Sequence, residues 1–286
     1  MSVAAYAQAR SRTLLLAHEV AKIAAFVRRD FLVALSYRGA FAMDVVNLAI
    51  QAATFWFIGK MVDPATLPSY GGSRATYMEF AAIGMVLSLV IALLLERVAT
   101  AVRQEQMIGT FESLLATPTA AATIQVGSAA FDLLYVPIRA AVFLLIIAVG
   151  FGLDFDANGV LPAFAVLLAF VPFVWGLGLL SAAAMVTFRR GGGGVMIGAT
   201  ILALLSGAYF PIDLLPGWLQ AIASVNPIAI AIDGVRQALL GGDGWAGLDP
   251  EVLLLVPMAA VSLTAGVFAF RLGLARERRN GTLGLY

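Results

Sequence analysis

Long apolar runs are the feature of this sequence that most constrains its fold. Five stretches approach the roughly 20 residues that an α-helix needs to cross the hydrocarbon core of a bilayer, and a sixth, shorter stretch is also counted as a full span. Because a backbone in lipid must satisfy its own hydrogen bonds, such runs predict membrane-spanning helices rather than open sheets. The predicted spans are Phe41–Val62, Tyr77–Leu95, Phe131–Phe151, Val160–Phe188, Val195 to about Phe210, and Leu253–Arg271.

Positive charges lie mostly on one side of these predicted spans. With six spans, the side that holds both termini carries 14 of the 18 Lys and Arg residues. Lys60, Arg74 and Arg236 fall on the opposite side, and Arg139 lies within a span. Since cytoplasmic loops of membrane proteins are enriched in Lys and Arg, we expect a multi-pass protein of the inner or plasma membrane with both termini in the cytoplasm.

The composition agrees with a lipid environment and disfavours several kinds of site. Charged residues make up 12% of the chain, about half the fraction of an average soluble domain. The net charge of +1 gives no indication of a nucleic-acid partner. The chain has no cysteine, and His18 is its single histidine, so no metal site is predicted.

Three regions follow from these patterns. Residues 1–40 are predicted to form a cytoplasmic tail with an amphipathic helix at the membrane interface, residues 41–274 the six-span domain, and residues 275–286 a second cytoplasmic tail. The interfacial helix is predicted because apolar residues recur at helical spacing between charged ones. They are Val20, Ile23, Ala24, Val27, Phe31 and Leu35.

A second amphipathic segment, at about residues 103–116, follows the second predicted span. Met107, Ile108, Phe111, Leu114 and Leu115 form one apolar stripe at helical spacing. Glu105, Gln106 and Glu112 project from other faces of the same predicted helix. The pattern fits a helix lying against lipid, and it equally fits a docking helix for a soluble partner.

Two separated motifs resemble the membrane subunits of type-2 ABC exporters, the type-2 ABC exporter permease family. The first is the stretch from Glu105 to Pro118, with Gly109-Thr110, Glu112 and a closing Thr117-Pro118. The second begins at Gly207 and continues to Gly241. The resemblance implies an all-α membrane protein with six spans, an amino-terminal interfacial helix, a cytoplasmic coupling helix, and short re-entrant helices at about residues 211–241.

The resemblance also implies how the chain obtains energy. The segment 103–116 would be the coupling helix, seated on a separate cytoplasmic ABC ATPase that binds ATP and magnesium. No phosphate-binding loop of the form Gly-x-x-x-x-Gly-Lys-Ser/Thr occurs in the sequence, so we expect a transport subunit rather than an enzyme, with no cofactor of its own. Two permeases and two ATPases form the expected assembly, in contact with membrane lipid. The implied coupling residues are Glu105, Met107, Ile108, Gly109, Thr110, Phe111, Glu112 and Leu115.

The second motif implies an extracellular cap over the transport pathway. Its prolines break helices into short pieces, and its tryptophan suits the membrane interface. Asp233 and Arg236 are three residues apart, a spacing that predicts an ion pair on a helix. The implied cap residues are Phe210, Pro211, Pro216, Trp218, Asp233 and Arg236.

Polar residues within the predicted spans are candidates for the transport pathway. Asp44, Asn47 and Gln51 form a stripe on the first span, and Asp132 and Arg139 share a face of the third. Such groups are costly in lipid, so each should face protein or a water-filled cavity. Two roles explain these residues: they line the transport pathway, or they form hydrogen bonds and ion pairs between helices.

Two functions remain open at this point. The first is a permease subunit that exports an amphipathic cargo, namely a drug-like molecule, a lipid or a lipid-linked glycan. The alternative is an ion-coupled secondary transporter that uses Asp44, Asp132 and Arg139 as a charge relay. No inverted repeat is evident in the sequence, which disfavours the alternative.

Overall fold

Helices dominate the part of the chain that the structure describes. The computed structural model describes residues 21–36, 38–63, 67–71, 73–108, 121–188 and 192–280. Its α-helices are α1 (residues 21–36), α2 (Arg38–Gly59), α3 (Tyr77–Ile108), α4 (Ala121–Phe151), α5 (Val160–Phe188), α6 (Gly192–Leu204), α7 (Gly217–Ser224), α8 (Pro227–Leu240) and α9 (Leu255–Asn280).

Short irregular elements connect these helices. A hairpin of β1 (Ser69–Tyr70) and β2 (Ser73–Arg74), paired antiparallel, lies between α2 and α3. Single 3-10 turns occupy Ala157–Gly159, Ile212–Leu214, Gly244–Gly247 and Pro250–Leu254. Apart from the two-residue strands and the connecting turns, the described part is helical, as the all-α prediction requires.

Three helices in the described part are long and apolar enough to cross a membrane. They cover Tyr77–Leu95, Ala157–Met185 and Pro250–Gly273, and agree with the second, fourth and sixth predicted spans. Shorter apolar helices, Val45–Gly59 and Tyr135–Phe151, lie within the first and third. A fourth crossing is added if α7 and α8, bent by 76° at their junction, are taken together. The full set of six spans stays a prediction.

The fifth predicted span is shorter than expected. Helix α6 ends at Leu204 instead of continuing to about Phe210, and at 1.5 Å per residue its 13 residues extend only about 20 Å. Gly207, with a φ of 70°, turns the chain away from the helix axis just before Pro211. Apolar character continues through this turn, which is why hydropathy alone misplaced the end of the helix.

Helix α3 also departs from the expected boundaries. It runs without interruption from Tyr77 to Ile108, so no helix begins at Arg103. Its 32 residues extend about 48 Å, compared with about 30 Å for a hydrocarbon core. Residues 281–286 and 1–20 of the two predicted tails lie outside the described residues.

Helix α1 confirms the helical prediction for residues 21–36 and packs against the start of α4. The rings of Phe31 and Phe131 meet edge to face, with centroids 6.5 Å apart. Phe26 lies against Gly127, where the absence of a side chain makes room for its ring. Phe31 remains half exposed, so one face of α1 is available to lipid, as an interfacial helix would need.

The hydrophobic core lies where α3, α5 and α8 pack together, and α4 packs against α3. Phe80, Phe143 and Phe170 are its largest fully buried side chains. Helix α9 packs along α5, where the Ser262 hydroxyl donates a hydrogen bond of 2.9 Å to the carbonyl of Phe173. This packing holds α8 against the first turns of α3. Buried hydrogen bonds of Arg236 join the two helices there.

Candidate functional site

Arg236, on α8, is the centre of a buried polar cluster, with only 3% of its surface exposed. Its guanidinium donates hydrogen bonds to three main-chain carbonyls and to no carboxylate. The Phe80 carbonyl accepts from Nε and Nη2 at 3.2 and 2.9 Å. The Gly207 carbonyl accepts from Nη1 at 2.9 Å, and the Ala208 carbonyl from Nη2 at 3.0 Å. We call this arrangement the Arg236 clamp.

The contacts of the Arg236 clamp compensate for burying the positive charge of the guanidinium. Gly207 and Ala208 lie in the turn beyond the end of α6, and their carbonyls point at the guanidinium rather than into a helix. The guanidinium carbon also lies 3.4 Å from the centre of the Phe80 ring, in a cation–π contact. Since hydrogen bonds to charged groups contribute about 1.5–3 kcal/mol each, these contacts offset the loss of hydration.

Gly84 allows the clamped turn to approach α3. A Cβ atom at this position would overlap the carbonyl oxygen of Ala208. The turn at 207–208 therefore lies directly on the α3 backbone, one turn along from Phe80. Tyr77 secures the same turn from the beginning of α3, because its hydroxyl donates to the Tyr209 carbonyl at 3.0 Å.

Asp233 lies beside the clamp but binds other partners. Its carboxylate accepts hydrogen bonds from the Tyr70 hydroxyl at 2.9 Å and from the Gln237 amide at 3.0 Å. The ion pair predicted between Asp233 and Arg236 is therefore not formed as a direct contact. Main-chain carbonyls bind the Arg236 guanidinium, whereas a hydroxyl and an amide bind the Asp233 carboxylate. Burial raises the pKa of the Tyr70 phenol above its ordinary value, so this donor stays protonated.

Gln237 extends the cluster to the chain that follows α8. Its amide nitrogen donates to Asp249 Oδ2 at 2.6 Å, and its amide oxygen accepts from the Asp249 backbone nitrogen at 2.9 Å. Neither Tyr70 nor Gln237 was identified as a site residue from the sequence. The spacing of Asp233 and Gln237, four residues apart on a helix, was an available signal for the second.

The remaining predicted cap residues lie on the turns before α8. Pro211 is buried, and Pro216 stands directly before α7. Trp218 is 69% exposed, as expected of an interfacial tryptophan. Asn226 begins α8: its side chain accepts from the Ile228 nitrogen and donates to the Leu202 carbonyl at 2.7 Å. Phe210 is half-buried in the turn after α6.

The predicted pathway residues are only partly brought together. Asn47 and Gln51 line a cleft between α2 and α3 together with Ser88 and Tyr209. Arg139 lies on α4, where its guanidinium is 5.2 Å from the centre of the Phe143 ring. Arg139 is not among the residues that line the cleft. Asp44 and Asp132 lie on α2 and α4, and their side chains are outside the described part.

The predicted coupling residues fall at and beyond the end of α3. Glu105, Met107 and Ile108 belong to its last turns. The others, Gly109, Thr110, Phe111, Glu112 and Leu115, lie outside the described residues. No group of three or more acidic, histidine or cysteine side chains in the described ranges is placed to hold a metal ion.

Comparison with known proteins identifies the family. The sequence model of the ABC-2 type transporter family matches residues 21–240. The "Probable multidrug ABC transporter permease YbhR" of Escherichia coli K12 is 28% identical over 169 residues, covering 59% of this chain and 45% of the relative. The protein of the same name from Escherichia coli O157:H7 matches equally. This chain thus spans less than half the length of these curated relatives. Because the family match covers most of the chain, and the helices are apolar and long, the chain belongs to the ABC-2 type transporter family, as a membrane-spanning ABC transporter permease.

Proposed function

We propose that this chain is the permease subunit of an ABC exporter that moves an amphipathic cargo outward across the cell membrane. ATP and magnesium bind to a separate ATPase subunit, and two permeases assemble with two ATPases. Both termini lie in the cytoplasm, so the end of the molecule that holds the Arg236 clamp faces outward. Family membership favours this function over the ion-coupled alternative.

Helix α3 is the observation that carries the proposal. Its apolar part ends at Leu95, but the helix continues to Ile108. The 13 further residues add about 20 Å, which extends past one face of the hydrocarbon core. Near its other end, the Phe80 carbonyl is bound by the Arg236 clamp. One continuous helix therefore joins the cap to the predicted coupling segment.

This connection supports a simple mechanism of coupling. An ATPase biases the conformation of a permease only through contacts that differ between its states. Movement of the segment after Ile108 would be carried along α3, because the helix contains no proline and its single glycine, Gly84, is packed against the turn at 207–208. The clamp would pass that movement to the turn at 207–208 and to α8.

The nature of the cargo is proposed from the relatives and from the spans. The name of YbhR describes it as a probable multidrug permease, and drug-like cargo is commonly amphipathic. Lipids and lipid-linked glycans share that character. An amphipathic molecule enters a membrane-embedded cleft with its apolar part in lipid, so it needs only a small polar site.

The test is whether an ATPase accompanies the chain and depends on the coupling segment. Purification from native membranes is expected to yield an ABC ATPase in equal amount. Phe111→Asp places a charge on the predicted apolar stripe and should abolish ATPase binding, whereas Gln106→Asp, on another face, should preserve it. Export of a fluorescent amphiphile should fail only in the first variant. Normal export by Phe111→Asp, or purification without any nucleotidase, would contradict the proposal.

A further inference from the structure

The cleft between α2 and α3 is a polar-lined cavity that the Arg236 clamp does not explain. Its volume is about 200 Å³. Asn47 and Gln51 provide two amides from α2, and Ser88 a hydroxyl from α3. Met85, Leu89 and Tyr209 also line it. We call this cavity the α2–α3 cleft.

The polar groups of the cleft have unused hydrogen-bonding capacity. The Gln51 amide donates to Asn47 Oδ1 at 3.5 Å, the long limit for such a bond. Ser88 Oγ is shielded from solvent and has no hydrogen-bond partner among the described residues. A serine in a membrane helix ordinarily bonds to the carbonyl four residues earlier. Since buried polar groups are rarely left unsatisfied, this constellation indicates a ligand that supplies the missing partners.

The lining also indicates the charge of that ligand. All described polar groups in the cleft are neutral amides and hydroxyls, and the rest of its wall is apolar. An ionised group placed there would lose its hydration without gaining a counter-ion, which is strongly unfavourable. A hydroxyl, amide or ester carbonyl would instead exchange water for equivalent hydrogen bonds. The site therefore suits an uncharged polar headgroup.

The dimensions restrict the ligand further. Sites for drug-sized molecules usually measure about 300–1,000 Å³, so the α2–α3 cleft holds only part of such a molecule. On α2, Val46 and Ile50 are exposed next to the cleft residues and form an apolar outer surface. An alkyl chain lying on that surface would place a compact headgroup inside the cleft.

We propose that the α2–α3 cleft binds the uncharged, hydrogen-bonding headgroup of an amphipathic cargo. This inference rests on the proposed export function and specifies the class of cargo: neutral amphiphiles with hydroxyl or amide groups, in preference to cationic ones. The cleft also connects to the cap. Tyr209 stacks on Phe55 with ring centroids 5.3 Å apart, and it directly follows the turn that Arg236 binds.

The experiment measures binding to the full chain in phosphatidylcholine nanodiscs, without any ATPase. The probes are tritiated N-decanoyl-N-methylglucamine, which is neutral, and decyltrimethylammonium, a cation with the same chain length. The unsubstituted chain is expected to bind the neutral probe more tightly. Ser88→Ala and Gln51→Leu should each weaken this binding about five- to tenfold, as the loss of one or two hydrogen bonds predicts.

Two further variants control for indirect effects. Thr54 lies on α2 outside the cleft, and its hydroxyl already donates to the Ile50 carbonyl at 2.9 Å. Thr54→Val should leave the affinity unchanged. Gln51→Glu adds a carboxylate of nearly the same shape, so it should weaken neutral-probe binding and strengthen binding of the cation. That inversion cannot result from misfolding.

The outcomes separate this inference from the proposed function. Unchanged affinity in Ser88→Ala and Gln51→Leu would overturn the cleft assignment while leaving ATP-driven export intact. Tighter binding of the cation by the unsubstituted chain, lost in Asp44→Asn, would also overturn it, since a carboxylate one turn away would then determine selectivity. If purification from native membranes yields no nucleotidase, but the chain still binds the neutral probe selectively in nanodiscs, the cleft assignment would stand and the export function would be rejected.

Discussion

At the scale of single residues, Arg236 exchanges its hydration shell for hydrogen bonds to main-chain carbonyls. The planar guanidinium reaches three carbonyls at once while its face lies on Phe80. A lysine ammonium carries the same charge but is a compact, strongly hydrated group that cannot reproduce this fork. The clamp therefore requires arginine specifically.

Arg236→Lys is expected to destabilise the protein by about 2–4 kcal/mol, because several charge-assisted hydrogen bonds are lost while the charge stays buried. Thermal unfolding of the detergent-solubilised protein measures this change. Arg271→Lys, at an exposed position on α9, is the matched control and should change little. Equal unfolding midpoints for the two variants would show that the clamp contributes no stability.

Tyr70 gives a prediction in which pH is the variable. Burial raises the pKa of its phenol in the folded state above the ordinary value of about 10. Its stabilising contribution is therefore fully present below pH 10 and is lost as the pH rises above that value, where the unfolded phenol ionises. The phenol also donates to Asp233, so Tyr70→Phe should cost about 1 kcal/mol at neutral pH.

Unfolding midpoints measured from pH 7 to 11 test this expectation. The advantage of the unsubstituted protein over Tyr70→Phe should shrink as the pH passes 10. A constant difference across the range would mean that the phenol titrates alike in the folded and unfolded states.

At the scale of elements, the contact between α3 and the turn after α6 depends on Gly84. The turn lies so close to α3 that no side chain fits between them. Gly84→Ala should displace the turn and destabilise the protein by about 1–3 kcal/mol, the usual range for overpacking. Its effect should extend to the clamp, because Ala208 contacts both Gly84 and Arg236.

Gly198→Ala provides the comparison for this substitution. Gly198 lies on α6, where an added Cβ would meet no atom within 4 Å. Alanine is the better helix former, so this variant should be neutral or slightly stabilised. Thermal unfolding of both variants gives the measurement, and similar midpoints would argue that α3 and the turn are less closely packed than described.

At the scale of the whole molecule, the proposed orientation is open to a direct test. The chain contains no cysteine, so a single introduced thiol reports one position without interference. Ser69 is exposed in the hairpin before α3, and Arg276 is exposed near the end of α9. With both termini cytoplasmic, these two positions lie on opposite sides of the membrane.

A membrane-impermeant maleimide should label Ser69→Cys in intact cells and Arg276→Cys only after the cells are permeabilised. The charge distribution is the physical reason, since most Lys and Arg residues lie on the Arg276 side. Labelling of Arg276→Cys in intact cells would reverse the orientation and place the predicted coupling segment outside the reach of any cytoplasmic ATPase.

Local composition was enough to predict a membrane protein and the positions of most helices, and two sequence motifs indicated the family. The boundaries Val160–Phe188 and the end of α4 at Phe151 follow from where apolar runs meet turn-forming or charged residues. Each of these signals is contained in a short stretch of chain, because hydropathy and helix-ending residues act locally. The carboxyl end of α6 was misplaced, and α3 continues past Arg103, where the coupling helix was expected to begin, since apolar or amphipathic character continues across both positions.

The partners of Arg236 could only be learned from the tertiary structure. Phe80 is 156 residues away in the chain, and its contribution is a main-chain carbonyl, a group that almost every residue has and that no sequence pattern distinguishes. The same holds for the α2–α3 cleft, which exists because Ser88 and Asn47 come from different helices. Sequence composition indicated that this chain lies in a membrane, and the motifs at 105–118 and 207–241 indicated its family, which the match over residues 21–240 shows. Which polar groups contact one another in the clamp and in the cleft depends on helix packing. Packing brings together residues that are far apart along the chain, and in a buried environment such groups interact strongly.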